Sequence, residues 1–174
     1  MDVINLPTDL SPKATSSFKV FDYKTSKECL KQMVSLQQNT FSFLLEGRKE
    51  VFSDKASIAI DKSSFLLMKN GHCLMTEKLP NTAQHYRSIL FFFSNESLIE
   101  FAQKHRIKNP QQPNQKSIHS FQYDDFLKTY VNALINISTL PIDIQTKLLA
   151  LKFEELMIYL KNTKENDFIF SLIL

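Results

Sequence analysis

The order of apolar and polar residues divides the chain into a first half typical of β-strands and a second half typical of helices. Between residues 18 and 93, short apolar or alternating runs are separated by turn residues. Strands are predicted at 18–23, 41–45, 49–53, 57–60, 65–68, 73–77 and 85–93. Short strands at this spacing predict an antiparallel barrel or sandwich. A parallel α/β sheet is disfavoured, because no long helical pattern separates the strands after residue 40.

The two glycines of the chain mark turns in this strand-rich half. Gly47 ends one predicted strand, and Asn70-Gly71 is the strongest hairpin signal, because both residues tolerate a positive φ. Residues 26–33 fit either a short helix or a loop that leads into the sheet. Residues 1–17 are polar and mixed, and we expect them to form a partly ordered N-terminal tail.

Two shorter helices are predicted in the second half. Ser94 or Asn95 can cap the first, which should end near His105. Residues 106–117 hold two prolines and many amides, so they predict a loop. The second helix is predicted over residues 123–137, where acidic residues near the start suit the helix dipole.

The helix predicted over residues 142–161 has a wider apolar arc than a single core contact needs. One face would pack on its own domain, and another can meet a partner. The final residues, 165–174, change from polar to apolar. We expect this end either to dock on the domain or to lead into further chain.

Composition excludes several classes of function. With 43% hydrophobic and 22% charged residues, the chain should fold as an ordinary globular protein. Two glycines are too few for the glycine-rich loops of common nucleotide-binding enzymes. The net charge of +3 comes from scattered lysines, which does not indicate a nucleic-acid surface. There is no signal peptide pattern and no apolar run near the roughly 20 residues of a membrane span. A cytoplasmic protein without membrane contact is predicted.

Cysteine and histidine give no catalytic or metal-binding motif. Cys29 and Cys73 form no CxxC pair. The four histidines lack the one-residue spacing of metal-binding barrels. His72 and Cys73 are neighbours on a predicted strand and would point to opposite faces. We therefore predict no metal, no cofactor and no enzymatic activity. The alternative is a metal-dependent cupin enzyme, an isomerase or dioxygenase, which would need ligands that the sequence lacks.

A barrel with an apolar interior remains, and its own side chains can fill that interior or leave room for one small ligand. An interaction domain without a ligand therefore stays open as a further alternative. The candidate ligand-binding residues are inward alternates of strand 41–45 and polar groups that can hold a carboxylate near the mouth. They are Phe41, Phe43, Leu45, Lys69, Tyr86 and Arg87.

Three segments carry a resemblance to a known family. Residues 44–47 (LLEG) end a predicted strand, and residues 63–71 (SSFLLMKNG) place a lysine before a turn. Residues 148–157 (LLALKFEELM) lie in the last long helix. In this order they resemble the cupin-like N-terminal domain of AraC-family transcription regulators, closest to the branch that includes type III secretion activators. The resemblance covers roughly residues 18–174.

The resemblance implies an α+β fold: an N-terminal tail at 1–17, a cupin-like antiparallel β-barrel or sandwich at 18–93, and a helical dimerisation segment at 94–174. It implies effector sensing, dimerisation or both in a bacterial regulator, whose DNA-binding helix-turn-helix half is absent from this chain. The expected partners are a second copy of the chain and a small-molecule effector or a regulatory protein. The candidate dimer-interface residues are Leu148, Leu151, Lys152, Glu155 and Tyr159.

Overall fold

The computed structural model describes residues 2–11, 16–54, 56–79, 85–108, 116–163 and 168–173. Within these residues the chain forms two five-stranded β-sheets and four helices that cover one of the sheets. The predicted α+β class is confirmed. In this part of the chain the strands pair as the two separate sheets of a sandwich.

The first sheet packs one face on the second sheet and turns the other towards solvent. The burial of β5 follows this alternation, since Lys49 and Val51 are buried whereas Arg48 is exposed. β1 and β3 are parallel, and the other neighbours are antiparallel. In spatial order the strands are β1 (Ile4–Leu6), β3 (Cys29–Leu36), β8 (Gly71–Lys78), β5 (Arg48–Phe52) and β6 (Ser57–Ile60).

The second sheet is entirely antiparallel and is covered on both faces. Leu90 and Phe92 pack in the core between the sheets, whereas Ile89, Phe91 and Phe93 pack in the core under the helices. Burial on both faces explains the continuous apolar runs that mark its central strands. In spatial order the strands are β10 (Ile118–Gln122), β7 (Ser64–Met68), β4 (Asn39–Glu46), β9 (Tyr86–Phe93) and β2 (Phe18–Thr25).

Local sequence signals place the first three helices close to their predicted positions, whereas the short helix at Phe168–Ile173 was not predicted. The Ser94 side chain accepts from the backbone N–H of Ser97, and the Asp124 carboxylate accepts from that of Leu127, so each caps a helix. In the described ranges, no helix is both long and apolar enough to cross a membrane. The helices are α1 (Asn95–Lys104), α2 (Asp125–Ser138), α3 (Ile142–Thr163) and α4 (Phe168–Ile173).

The Asn70-Gly71 turn does not close a hairpin, and this prediction is wrong. Gly71 has the expected positive φ of 138°, but β7 lies in the second sheet and β8 in the first. The turn therefore carries the chain from one sheet to the other. A hairpin between consecutive strands forms instead at β5 and β6, where the Ser53 N–H donates to the Ala56 carbonyl at 2.8 Å.

Three further strands were not predicted as strands. Residues 29–36 form β3, whose alternation is broken by a bulge at which Lys31 has a φ of 48°. The N-terminal segment contributes the short parallel strand β1, and residues 118–122 form the edge strand β10. Each of these strands is short or irregular, so its local pattern is weak and its pairing with a neighbour determines its conformation.

Candidate functional site

A cavity of about 190 Å³ lies between the two sheets. Its walls are largely apolar and come from both sheets and the N-terminal segment. The apolar lining residues are Ile4, Leu6, Leu10, Val34, Leu36, Met68, Met75 and Leu90. The polar lining residues are Asp9, Tyr23, Cys29, Gln32, Thr40, Lys49 and Glu77. Apolar walls with a few polar groups are typical of small-molecule sites.

The N-terminal segment forms one wall of this cavity. Strand β1 pairs with β3, and the following turn is tied to the β3–β4 connection by the Thr8 hydroxyl and N–H, which donate to Gln37. The Asp9 carboxylate accepts from the backbone N–H of Asn5 at 2.7 Å. Residues 4–10 are thus held in place by the sandwich and form part of the cavity wall. The sequence predicts ligand-binding residues only between positions 41 and 87, so this contribution was not expected.

A buried ion pair provides most of the polar character of the cavity. Lys49 and Glu77 are direct neighbours across β5 and β8. Their side chains are 2% and 11% exposed, and Lys49 Nζ lies 3.6 Å from Glu77 Oε2. The same ammonium donates to Ser42 Oγ at 3.1 Å. A buried ammonium has to be paired in this way, because its transfer out of water is costly.

Neutral hydroxyl groups surround this pair. Burial raises the pKa of Tyr86 well above its ordinary value, and the charge of Glu77 adds to the effect. Burial, again followed by Glu77, also raises the pKa of Tyr23. Both phenols therefore stay protonated at neutral pH. Among the described residues, the buried hydroxyls of Tyr86 and Ser88 make no well-formed hydrogen bond, although Tyr86 interacts with both Ser88 and Glu77; buried polar groups are normally paired.

The structure places most of the predicted ligand-binding residues elsewhere. Phe41 and Phe43 are fully buried beneath the helices, and Leu45 packs against the same core. The expectation that these three alternates face the sandwich interior is wrong, because β4 is buried on both faces and the sequence does not say which face is inner. Tyr86 does lie in the core between the sheets, next to Glu77.

The two predicted basic residues are also away from the main cavity. Arg87 forms a two-point ion pair with Asp22 of the neighbouring strand, at 2.8 and 3.0 Å. Lys69 lines a separate cavity of about 50 Å³ near Gly71. None of the six predicted residues belongs to the described lining of the main cavity. Their role in ligand binding stays a prediction.

Sequence reasoning missed Lys49 and Glu77, although their positions carry a signal. Lys49 alternates with the buried Val51, and Glu77 alternates with Cys73 and Met75. A charged residue at an inward position of a strand needs an opposite charge nearby. The signal could be used only with the knowledge that β5 pairs with β8, and that pairing is not local.

A second feature lies on the outer side of α3. Ile144, Leu151 and Ile158 recur every seven residues and are exposed, with 66% of Leu151 accessible to solvent. The buried residues of the helix, such as Phe153 and Leu160, lie on its opposite side. The exposed stripe, defined by Ile144, Leu151 and Ile158, is the second apolar face expected from the sequence.

The predicted dimer-interface residues differ in how they lie relative to this stripe. Leu151 is its centre, and Leu148 is partly buried against the core. Lys152 and Glu155 form an ion pair at 3.0 Å on the helix surface. Tyr159 stacks on Phe126 of α2 and donates to the carboxylate of Asp124. These contacts are within one chain, so the assignment of all five residues to a dimer interface stays a prediction.

In the described part of the chain, no group of three or more His, Cys, Asp or Glu side chains could hold a metal ion. The two cysteines are free, with Cys73 buried and Cys29 at the wall of the cavity. Burial, with a smaller effect of Glu77, raises the pKa of the Cys29 thiol. The thiol is therefore neutral at physiological pH and is a weak nucleophile.

Comparison with known proteins gives a family and a fold. A family model described as the ExsA N-terminal regulatory domain matches residues 39–172. Comparison with curated protein sequences gives no match. Apo ToxT from Vibrio cholerae, a variant, is similar with a TM-score of 0.60 and 14% identity, over 89% of this chain and 59% of ToxT.

Two ligand-bound ToxT structures from Vibrio cholerae are also similar. One, with (E)-4-(8-methylnaphthalen-1-yl)but-3-enoic acid, has a TM-score of 0.60 and 13% identity over 88% of this chain and 60% of ToxT. The other, with an unsaturated fatty acid, has a TM-score of 0.56 and 14% identity over 86% of this chain and 56% of ToxT. The chain thus spans about three fifths of ToxT. At this identity the likeness shows the fold alone.

Proposed function

The chain belongs to the family of ExsA N-terminal regulatory domains, and we propose that it is the effector-binding half of an AraC-type transcription regulator rather than an enzyme. The observation that carries the proposal is the cavity between the sheets, with apolar walls and a buried ion pair. In the whole regulator, a helix-turn-helix half would bind DNA in the cytoplasm. Structures of ToxT, part of which shares this fold, hold organic acids, and this supports a ligand for the present chain.

The second sheet offers a route from the cavity to the helices. Leu90 lines the cavity, and its neighbours in β9, Ile89 and Phe91, pack in the core under the helices. On that side, Phe153 of α3 lies 4.9 Å from Phe93 and 5.2 Å from Phe18, measured between ring centroids. A ligand that spreads the two sheets would displace this layer, because close-packed cores transmit strain.

The cavity proposal is tested with toluene as a small apolar probe. Toluene should raise the melting temperature of the chain in a concentration-dependent way, since a ligand of the folded state stabilises it. Val34→Phe fills the cavity wall and should abolish the shift. Leu30→Phe, in the same strand but exposed, is the matched control and should keep it. A toluene shift that is absent from the unmodified chain, or equal in Val34→Phe, would refute the proposal.

We also propose that the exposed stripe of α3 pairs with the same stripe of a second copy. A seven-residue apolar repeat on a 22-residue helix suits packing against another helix. Sedimentation of the chain at increasing concentration should show a dimer. Leu151→Lys should dissociate it, whereas Ile99→Lys, on the exposed surface of α1, should not. A dimer unchanged by Leu151→Lys would exclude this interface, and a monomer at every concentration would exclude self-association by the chain alone.

A further inference from the structure

The charged groups of the cavity balance each other. Lys49 and Glu77 are opposite each other in register and are almost fully buried, so each already has its counter-ion inside the wall. The remaining ionisable lining groups are the neutral Tyr23 and Cys29, and Asp9, which is exposed. The deep part of the cavity therefore offers no unpaired charge to a ligand.

The Lys49–Glu77 pair can still form hydrogen bonds with a ligand. The ammonium of Lys49 has three hydrogens. It donates one of them to Ser42, and the Glu77 carboxylate lies 3.6 Å away. The carboxylate has lone pairs beyond those that Lys49 uses. Beside it lies the buried hydroxyl of Tyr86, which makes no well-formed hydrogen bond and interacts with Glu77 and Ser88. A ligand group that both donates and accepts would match this arrangement.

Building on the proposed function of the cavity, we propose that its effector is an electrically neutral amphiphile whose hydroxyl or amide group bonds to the Lys49–Glu77 pair. The volume of the cavity sets the size of the whole ligand. A 150 Å³ protein cavity holds benzene, so the 190 Å³ here suits a molecule of about eight non-hydrogen atoms.

An ionised ligand would break this balance. A carboxylate could approach Lys49 only beside Glu77, which would place two buried negative charges around one cation. Displacing Glu77 instead would leave that carboxylate buried without a partner, which is strongly unfavourable. An ammonium ligand meets the same obstacle at Lys49. A primary amide accepts from Lys49 and donates to Glu77, and the ion pair stays intact.

Three probes of equal chain length test the charge of the ligand. Heptanamide and heptanoate have nearly the same shape and differ in charge, and heptylammonium carries the opposite charge. We expect isothermal titration at pH 7.5 to show that the unmodified chain binds heptanamide at least about tenfold more tightly than either ion, where tenfold equals about 1.4 kcal/mol.

Matched variants reverse the preference. Glu77→Gln frees Lys49 and should raise the affinity for heptanoate at least about tenfold relative to heptanamide. Lys49→Met frees Glu77 and should do the same for heptylammonium. The double variant Lys49→Met/Glu77→Gln should bind neither ion well. Circular dichroism establishes that each variant is folded, and the comparison on the unmodified chain decides the question if a variant is not.

The outcomes separate this inference from the proposed function. Heptanoate binding as tight as heptanamide binding in the unmodified chain would overturn the neutral-ligand inference and leave the cavity as a binding site. If toluene raises the melting temperature but heptanamide binds no more tightly than the two ions, the neutral-ligand inference is likewise overturned and the cavity remains a binding site. If neither toluene nor any of the three probes binds the folded chain, the proposed function fails, and the inference fails with it.

Discussion

Substitution of Gly47 by alanine should destabilise the domain more than the same substitution at Gly71. Both glycines have a positive φ, 101° and 138°, which L-residues rarely adopt. A Cβ at Gly47 would lie 2.6 Å from the Lys78 carbonyl oxygen and 2.8 Å from Tyr86 Cδ2. A Cβ at Gly71 would meet nothing within 4 Å. Comparison of the two alanine variants therefore separates the cost of steric overlap, present only at Gly47, from the cost of backbone strain, present at both sites.

The magnitudes follow from these two contributions. Backbone strain costs about 1–3 kcal/mol at either site, and the loss of unfolded-state entropy is the same for both. Overlap with a fixed carbonyl and a buried ring adds about 1–3 kcal/mol at Gly47 alone. For a chain of this size, each kcal/mol lowers the melting temperature by about 2–4 °C. Gly47→Ala should therefore melt at least about 2 °C below Gly71→Ala.

Thermal and urea unfolding, followed by far-UV circular dichroism, measure this difference. The urea midpoint should fall in the same order as the melting temperature, with an unchanged slope. Equal losses in the two variants would mean that Lys78 of β8 and Tyr86 of β9 move away from Gly47 at no cost to admit a methyl group. In that case, the close packing of Gly47 against Tyr86 would not contribute to stability, and the reasoning would be refuted.

Three further predictions concern stability. Asp22→Asn should cost less than about 1 kcal/mol at pH 7, because the Arg87 pair is partly exposed. The hydrogen bond from Arg87 lowers the pKa of Asp22, so the ion pair stabilises the fold above the unfolded pKa of about 3.9. This stabilisation is lost as the pH falls. The difference in unfolding free energy between the unmodified chain and Asp22→Asn should therefore be smaller in urea at pH 3.5 than at pH 7. Tyr130→Phe removes a 2.6 Å bond to the Lys152 carbonyl and should cost about 1 kcal/mol in urea. Phe153→Ala removes a buried ring and should cost about 3–5 kcal/mol by the same assay; losses below 1 kcal/mol would contradict its place in the core.

Local signals made much of the fold predictable. The caps at Ser94 and Asp124 act within one helical turn, so the sequence places the starts of α1 and α2 well. The strand-rich half was recognised from its period and its turns. The Asn70-Gly71 turn was recognised too, but its role was not, because the partner of β7 is set by strands far away in the sequence.

The candidate site was much harder to predict than the fold. The sequence pattern predicts that Phe41 and Phe43 face the interior, yet the face that they occupy is decided by helices that begin about 50 residues or more later. Lys49 and Glu77 meet through strand pairing across a separation of 28 residues. A strand buried on both faces gives no alternation from which the inner face can be read, so only the assembled sandwich locates the cavity.

The burial of β9 on both faces has a consequence for synthesis on the ribosome. β2 and β4, which flank β9, precede it in the chain, so both of its edges can pair as soon as it emerges. The aromatic face formed with Phe41, Phe91 and Phe93 stays bare until α2 and α3 follow. At about 5–20 residues per second, the roughly 70 residues to the end of α3 take roughly 4–14 s. During those seconds the nascent sheet is exposed to other chains, so a fragment that stops after Phe93 should aggregate where the longer chain folds.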